Sequence, residues 1–281
     1  MHRISPEALL ARIESGAGAQ AGHLAFDCDG TLVTGHVCSH ANWVLLRRER
    51  EASFHDYLAL LRNEVGSFEE YSPEDWRRMG QTGRAANRTY FWEVGRHRGL
   101  TAAEVREATR QAMVLGLREG SFGIVEPLAT LARRHASRSW IVSGSPVPCV
   151  EAIADWLGID RARVIASRLA ETDGAFEHRF AHPGLVWEGL KADLLEEAAP
   201  GPAWLAAGDS VGDWELLRRA TGWAWCLVRG SHDPRGESFS DWHRLLEAEV
   251  LGGARSLPGE PGLWLLERDG KYWVLDLRPG H

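Results

Sequence analysis

Three short stretches and one isolated lysine carry the side chains best suited to chemistry. Asp27-Cys28-Asp29-Gly30-Thr31 holds two closely spaced carboxylates, and Gly208-Asp209-Ser210-Val211-Gly212-Asp213 holds two more. Ser143-Gly144-Ser145 offers two hydroxyls around a glycine, and Lys191 is one of only two lysines, with Lys271, among 32 basic residues. Gathered at one place, these groups would suit phosphoryl transfer. Asp27, Asp29, Asp209 and Asp213 would repel one another without a cation, and hard oxygen donors select Mg²⁺. Magnesium takes one or two carboxylates beside waters and phosphate oxygens, which leaves carboxylates for other duties. A carboxylate nucleophile is ionised at neutral pH and needs no base, but the phosphate dianion must be neutralised before it can approach. The metal and Lys191 would supply that neutralisation. The Ser143 hydroxyl and nearby backbone N–H groups, Gly144 among them, would hold the equatorial oxygens. In this arrangement Asp27 attacks phosphorus, while Asp29 protonates the leaving alkoxide and later activates water.

The elements that must position these groups can be read from the apolar pattern. Short apolar runs at 23–27 (HLAFD), 138–142 (RSWIV), 203–207 (AWLAA) and 223–228 (WAWCLV) predict strands, and the first three run directly into the polar stretches. Segments 126–136, 147–157, 187–199 and 213–220 have helical spacing and alternate with those strands. Such alternation predicts a doubly wound, mainly parallel α/β sheet with helices on both faces. Open sheets of this kind bind ligands at the carboxyl ends of their strands, where the three stretches fall; Lys191 sits on the helix before the third of those strands. Between 36 and 120 the texture changes to runs of helical spacing rich in Arg and Glu, with helix starts at Ser72-Pro73-Glu74-Asp75 and at Thr101 with Glu104. The expected organisation is an α/β core over 1–35 and 121–281, interrupted by an all-helical cap over 36–120. Asp173-Gly174 predicts a small hairpin. Asp269-Gly270, flanked by alternating apolar runs, predicts a β-hairpin over 262–278 appended to the core. Ser5-Pro6-Glu7 reads as the start of a short helix.

In this order, the residues resemble the haloacid dehalogenase superfamily, in its phosphoserine-phosphatase-like branch, from about residue 23 to 250. DCDGT at 27–31 matches the family's DxDGT, IVSGS supplies the Ser143 of its second motif, Lys191 in WEGLKADLL matches its lysine, and GDSVGD matches GDxxxD. The resemblance implies a Rossmann-like core, a magnesium ion served by Asp27, Asp29, Asp209 and Asp213, and a substrate-covering cap in the gap where the helical insert lies. One departure bears on substrate: phosphoserine phosphatases carry a glutamate shortly after the first motif. Here the stretch reads LVTGHVCSH, with His36 at that place and no acid before Glu49, which argues against phosphoserine.

Composition bounds the alternatives. The chain has 281 residues with 44% hydrophobic and 25% charged content, as in ordinary globular proteins, and a net charge of −7 gives no reason to expect nucleic acid or an anionic membrane as partner. The four cysteines, Cys28, Cys38, Cys149 and Cys226, are far apart and form no CxxC pair, which argues against a structural zinc site and a disulfide framework. A cytoplasmic setting is expected. Cys28, between the two aspartates, reads as a buried thiol, and Ser145-Pro146 as the cap of the next helix. The cap aromatics Trp43, Phe54, Tyr57, Phe68, Tyr71, Trp76, Tyr90, Phe91 and Trp92, near Glu64, Glu69, Glu70, Glu74 and Asp75, could cage a quaternary ammonium such as phosphocholine's; the expectation favoured is that most form the cap's own core. A small phosphomonoester is the expected partner, and the C-terminal hairpin is expected to pack on the core or to pair two subunits. Two rival readings stand: a phosphotransferase to an acceptor alcohol, and a catalytically silent binding module on the same fold. A dehalogenase is disfavoured, since that chemistry has no use for the acid/base carboxylate of Asp29.

Overall fold

The computed structural model describes residues 2–5, 8, 11, 13, 22–67, 86–199, 201–228, 263–268 and 271–276. Its strands are β1 (His2–Ile4), β2 (His23–Phe26), β3 (Ser139–Pro146), β4 (Val164–Ser167), β5 (Leu169–Thr172), β6 (Ala175–Phe180), β7 (Ala203–Gly208), β8 (Trp223–Val228), β9 (Leu263–Arg268) and β10 (Lys271–Asp276). Eight of them form one sheet in the order β1-β10-β9-β8-β7-β2-β3-β4. The six from β9 to β4 run parallel; β10 runs against them beside β9, and the edge strand β1 pairs antiparallel with β10.

The described helices are α1 (Val37–Glu49), α2 (Phe54–Ser67), α3 (Ala86–Gly95), α4 (Ala102–Glu119), α5 (Glu126–Arg134), α6 (Val147–Leu157), α7 (Gly189–Ala198) and α8 (Trp214–Arg218). Side-chain alternation in the strands divides the core between the two sheet faces. Leu24, Phe26, Ile141, Leu205 and Trp225 pack on one side with Leu128 and Leu131 of α5 and Val150 and Ile153 of α6. Ala25, Trp140, Val142, Ala206 and Ala224 pack on the other with Leu195 of α7 and Leu216 and Leu217 of α8. Because both faces are covered, β2, β3 and β7 are buried along their whole length, and their central residues are apolar on both sides rather than alternating with polar ones.

The helices α1 to α4 interrupt this core between β2 and β3. Val37, Ala41, Val94, Val105 and Met113 join the main cluster beneath the sheet, so the insert is packed onto the core rather than held by linkers alone. Trp43, Leu46, Tyr57, Leu61 and Trp92 form a second cluster within the insert, with Phe54 against it, whereas Phe91 turns to the main core and stacks on His178 at 4.0 Å. Arg106 bonds Glu151, and Arg110 bonds Asp155 at 2.7 Å, tying α4 to α6. The capping box expected at Thr101 and Glu104 opens α4, with both reciprocal hydrogen bonds present.

Asp173 (φ 53) and Gly174 (φ 78) both adopt positive φ, as a two-residue type I′ turn requires, and join β5 to β6. That hairpin bonds the insert through Gly99 N to Phe176 O at 2.8 Å and Phe176 N to Leu100 O at 2.9 Å. The C-terminal pair β9–β10 lies in the main sheet, with β9 parallel to β8 from Trp223↔Leu263 onward. Its Asp269-Gly270 turn, the Ser72–Asp75 helix start, Phe68, Tyr71 and Trp76 lie outside the described residues, as do Pro6 and Glu7; the Ser5 hydroxyl accepts from Ala8 N at 3.2 Å. Two strands, β1 and β4, have no counterpart in the sequence reading. β4 matters for the site, because pairing with it carries β3 on through Ser143-Gly144-Ser145, past the end at 142 that the apolar run suggested. Among the described residues no helix is long and apolar enough to cross a membrane.

Candidate active site

The carboxyl ends of β2, β3 and β7 lie side by side, and each delivers one of the polar stretches. Asp27 follows β2, anchored by its backbone N–H to Ala207 O at 2.9 Å, and Thr31 donates its hydroxyl to Asp27 Oδ2 at 3.2 Å. Lys191, in the first turn of α7 and only 1% exposed, places its ammonium between two carboxylates, 2.6 Å from Asp27 Oδ1 and 2.6 Å from Asp213 Oδ1. Asp213 is in turn held through its other oxygen by Asp209 N at 3.2 Å, Ser210 N at 3.1 Å and Ser210 Oγ at 3.0 Å. The loop after β7 therefore folds back on its own last aspartate.

Asp29 has a separate set of partners. Val37 N, at the start of α1, donates to its Oδ1 at 2.6 Å, while Ser145 Oγ and Ser143 Oγ donate to its Oδ2 at 2.6 and 3.3 Å. Helix α1 belongs to the insert, so its first free N–H bonds the carboxylate on which acid/base chemistry would depend. The glycines permit these approaches. A Cβ on Gly30, whose φ is 79, would stand 1.7 Å from Asp209 Oδ2, and one on Gly208 would stand 2.4 Å from Asp213 Cβ.

Burial and neighbouring Asp213 push the Asp27 carboxyl well above the usual carboxylate range, and Lys191 pulls in the opposite direction. Lys191 stays charged: its pKa is raised, because Asp213 and Asp27 outweigh the burial that alone would lower it. The cluster carries more negative than positive charge. Oxygens of Asp27, Asp209 and Asp213 lie within 4.8 Å of one another, a set of hard donors that fits a magnesium ion and would be relieved by one.

The structure thus brings together Asp27, Lys191, Asp209 and Asp213, with Asp29 and Ser143 paired alongside. It does not bring the Asp29 carboxylate into the Asp27–Asp209–Asp213 set, since both Asp29 oxygens are taken by Val37 and the two serines. Gly144 lies buried in β3 between those serines. Ser145 requires a correction. Pro146 occupies the N-cap position of α6 without a side-chain cap, and the Ser145 hydroxyl points to Asp29 instead. The signal was available: Ser143 and Ser145 are two apart on a strand and so share a face. Thr31 and the Val37 amide were likewise missed, the latter because a backbone donor leaves no mark in the sequence. Cys28 is fully buried in the main core, and burial raises its thiol pKa. His36 precedes α1 without capping it, His40 packs under Phe54 at 3.9 Å with its ring nitrogens on the carbonyls of His36 and Ser121, and His182 is exposed.

The family follows from comparison. Residues 24–218 match the model of the haloacid dehalogenase-like hydrolases, and the chain belongs to that family. No curated protein matches it in sequence. Among solved structures it is similar to a conserved functionally unknown protein from Anaerococcus prevotii, with 13% identity and a TM-score of 0.54 over 81% of this chain and 84% of the other. A protein of unknown function from Bordetella pertussis gives 14% identity and a TM-score of 0.53 over 81% and 95%. A phosphoserine phosphohydrolase-like protein from Francisella tularensis gives 17% identity and a TM-score of 0.48 over 75% and 88%.

Proposed function

We propose that this hydrolase is a magnesium-dependent phosphomonoesterase of the phosphoserine-phosphatase-like branch, acting on a small phosphorylated metabolite in the cytoplasm through an aspartyl-phosphate on Asp27. The observation that carries the reading is the buried ammonium of Lys191 between Asp27 and Asp213, beside the Asp29–serine pair, at the carboxyl ends of three parallel strands. Asp27, Asp209 and Asp213 would hold the ion, which when bound offsets the charge of the phosphoryl oxygens.

Asp27 attacks phosphorus, and Lys191, already within reach of the nucleophile, steadies the negative charge that gathers around it. Asp29 enters this step protonated and gives that proton to the leaving alkoxide. Asp29, then ionised, removes a proton from the water that attacks the acyl phosphate, which restores Asp27. Ser145 and Val37 hold Asp29 in place for both steps, and Ser143 stands at the same point to meet an equatorial oxygen. Asp27 is only 4% exposed, which fits a small substrate better than a bulky one.

The test is hydrolysis of p-nitrophenyl phosphate by wild type and Asp27→Asn, each with magnesium and with EDTA, in the presence and absence of acceptor alcohols. The reading expects turnover only for wild type with magnesium, with inorganic phosphate as product. Turnover by a folded Asp27→Asn protein would overturn the mechanism, and phosphorylated acceptor in place of phosphate would make it a transferase.

A further inference from the structure

The spacing of the cysteines gave no hint of a metal site, yet the fold assembles one away from the aspartates. Cys38 lies in the first turn of α1, Cys149 in the first turn of α6, and His97 in the turn that follows α3. One ligand atom from each falls within 4.8 Å of the other two, and all three residues are buried. His97 is fully buried, and neither of its ring nitrogens has a hydrogen-bond partner. That arrangement needs a reason, since buried polar atoms are normally satisfied.

We propose that Cys38, His97 and Cys149 form a binding site for a thiophilic divalent cation of the zinc class, separate from the magnesium-binding aspartates. Two thiolates and an imidazole are the donors such ions prefer, whereas magnesium takes oxygen. A tetrahedral zinc ion with bonds of about 2.3 Å to sulfur and 2.0 Å to nitrogen sets its ligands roughly 3.5 to 3.8 Å apart, so the cluster need close by only about 1 Å. Burial, with Cys149 and Glu93 nearby, holds the Cys38 thiol above its ordinary value, so an ion must itself displace the proton, and only local features help it. Each sulfur sits in the first turn of a helix, where free N–H groups and the helix dipole stabilise negative charge, and Asn42 Nδ2 donates to Cys38 Sγ at 3.7 Å. Binding converts both thiols to thiolates and releases their two protons to solvent, with no change of oxidation state.

The position gives the site a consequence. Two ligands come from the insert and the third from the core helix α6, so an ion there would pin the insert to the core. Cys38 is the residue after Val37, whose N–H bonds Asp29. The ion would therefore fix the start of α1 against the candidate active site without taking part in the chemistry.

The experiment is a cobalt titration of the metal-stripped full-length protein, followed by absorbance and by elemental analysis. With excess magnesium present to occupy the aspartates, the expected result is one equivalent of cobalt bound with a thiolate-to-cobalt charge-transfer band, displaced by zinc. The band persists in Asp209→Asn, disappears in Cys149→Ser, and needs at least tenfold more cobalt in His97→Gln. Thermal melting of the zinc-loaded protein shifts upward relative to the stripped one. Cobalt bound without a thiolate band, cobalt lost in Asp209→Asn, or no stoichiometric binding would each overturn the proposal. If Cys149→Ser does not fold, the wild-type band and its survival in Asp209→Asn still decide the matter.

Discussion

Replacing Lys191 with methionine removes the ammonium that lies between Asp27 and Asp213 while keeping most of the apolar stem. At 2.6 Å from each oxygen, the ammonium attracts each carboxylate by about 6 kcal/mol at an effective dielectric of 20. The two carboxylates, with oxygens within 4.8 Å, repel each other by at least about 3 kcal/mol on the same scale. Desolvation of three buried ions consumes several kcal/mol each, so the trio adds little net stability while intact. Removal of one member is another matter, because it leaves buried charge unpaired and destabilises by about 3–5 kcal/mol. Lys191→Met should show that loss in urea unfolding with EDTA present. Lys191→Met/Asp213→Asn should recover much of it, because one of the stranded charges is gone. Turnover behaves differently. Burial and Asp213 already push the Asp27 carboxyl upward, and without Lys191 it is ionised less readily; losing a preorganised charge also lowers kcat by about 10²–10³. Neither variant should regain turnover of p-nitrophenyl phosphate. Stability and turnover of Lys191→Met indistinguishable from wild type would refute the argument.

Three further perturbations have clear directions. Ser145→Ala removes the 2.6 Å hydrogen bond to Asp29 and should lower kcat by roughly tenfold or more with little change in KM, in steady-state assays of the purified variant. Glu188, at φ 49 and ψ −131 just before α7, occupies a backbone region that favours glycine; Glu188→Gly should raise the unfolding free energy by about 1 kcal/mol, read from urea denaturation. Asp155, held down to about 2 by Arg161 and Arg110, contributes stability that is fully present above about pH 4 and lost as pH falls through 2. Since those arginines are 43% and 46% exposed, Asp155→Ala should cost only about 1 kcal/mol at pH 7, a difference that vanishes only below about pH 2 in pH-resolved melts.

What could be read in advance follows from what each feature depends on. The parallel sheet and its three polar strand ends were legible because β2, β3 and β7 are short apolar runs punctuated by Asp-Gly, Ser-Gly and Gly-Asp pairs. The turn at Asp173-Gly174 and the capping box at Thr101 rest on local chemistry, and local chemistry is visible in sequence. β4 and β1 are short and owe their strand state to a neighbour, β3 and β10, that only the fold supplies. The carboxylates and Lys191 could be named from their types and order. Their division into one group around Lys191 and another around Asp29 could not, since it turns on the Val37 amide and on strand pairing that carries Ser145 inward. Cys38, His97 and Cys149 come from two helices and a turn far apart in the chain, so no spacing rule could unite them.

The central claim is a covalent bond between Asp27 and phosphate, and the most direct test is to catch it. Wild-type protein turning over a phosphomonoester with magnesium is quenched in acid within the first turnovers, digested and analysed by mass spectrometry. Phosphate is expected on the peptide that carries Asp27, removable by hydroxylamine and absent from Asp27→Asn. Turnover with no covalent phosphate at any time, or with the phosphate on Ser143 or Ser145, would contradict it.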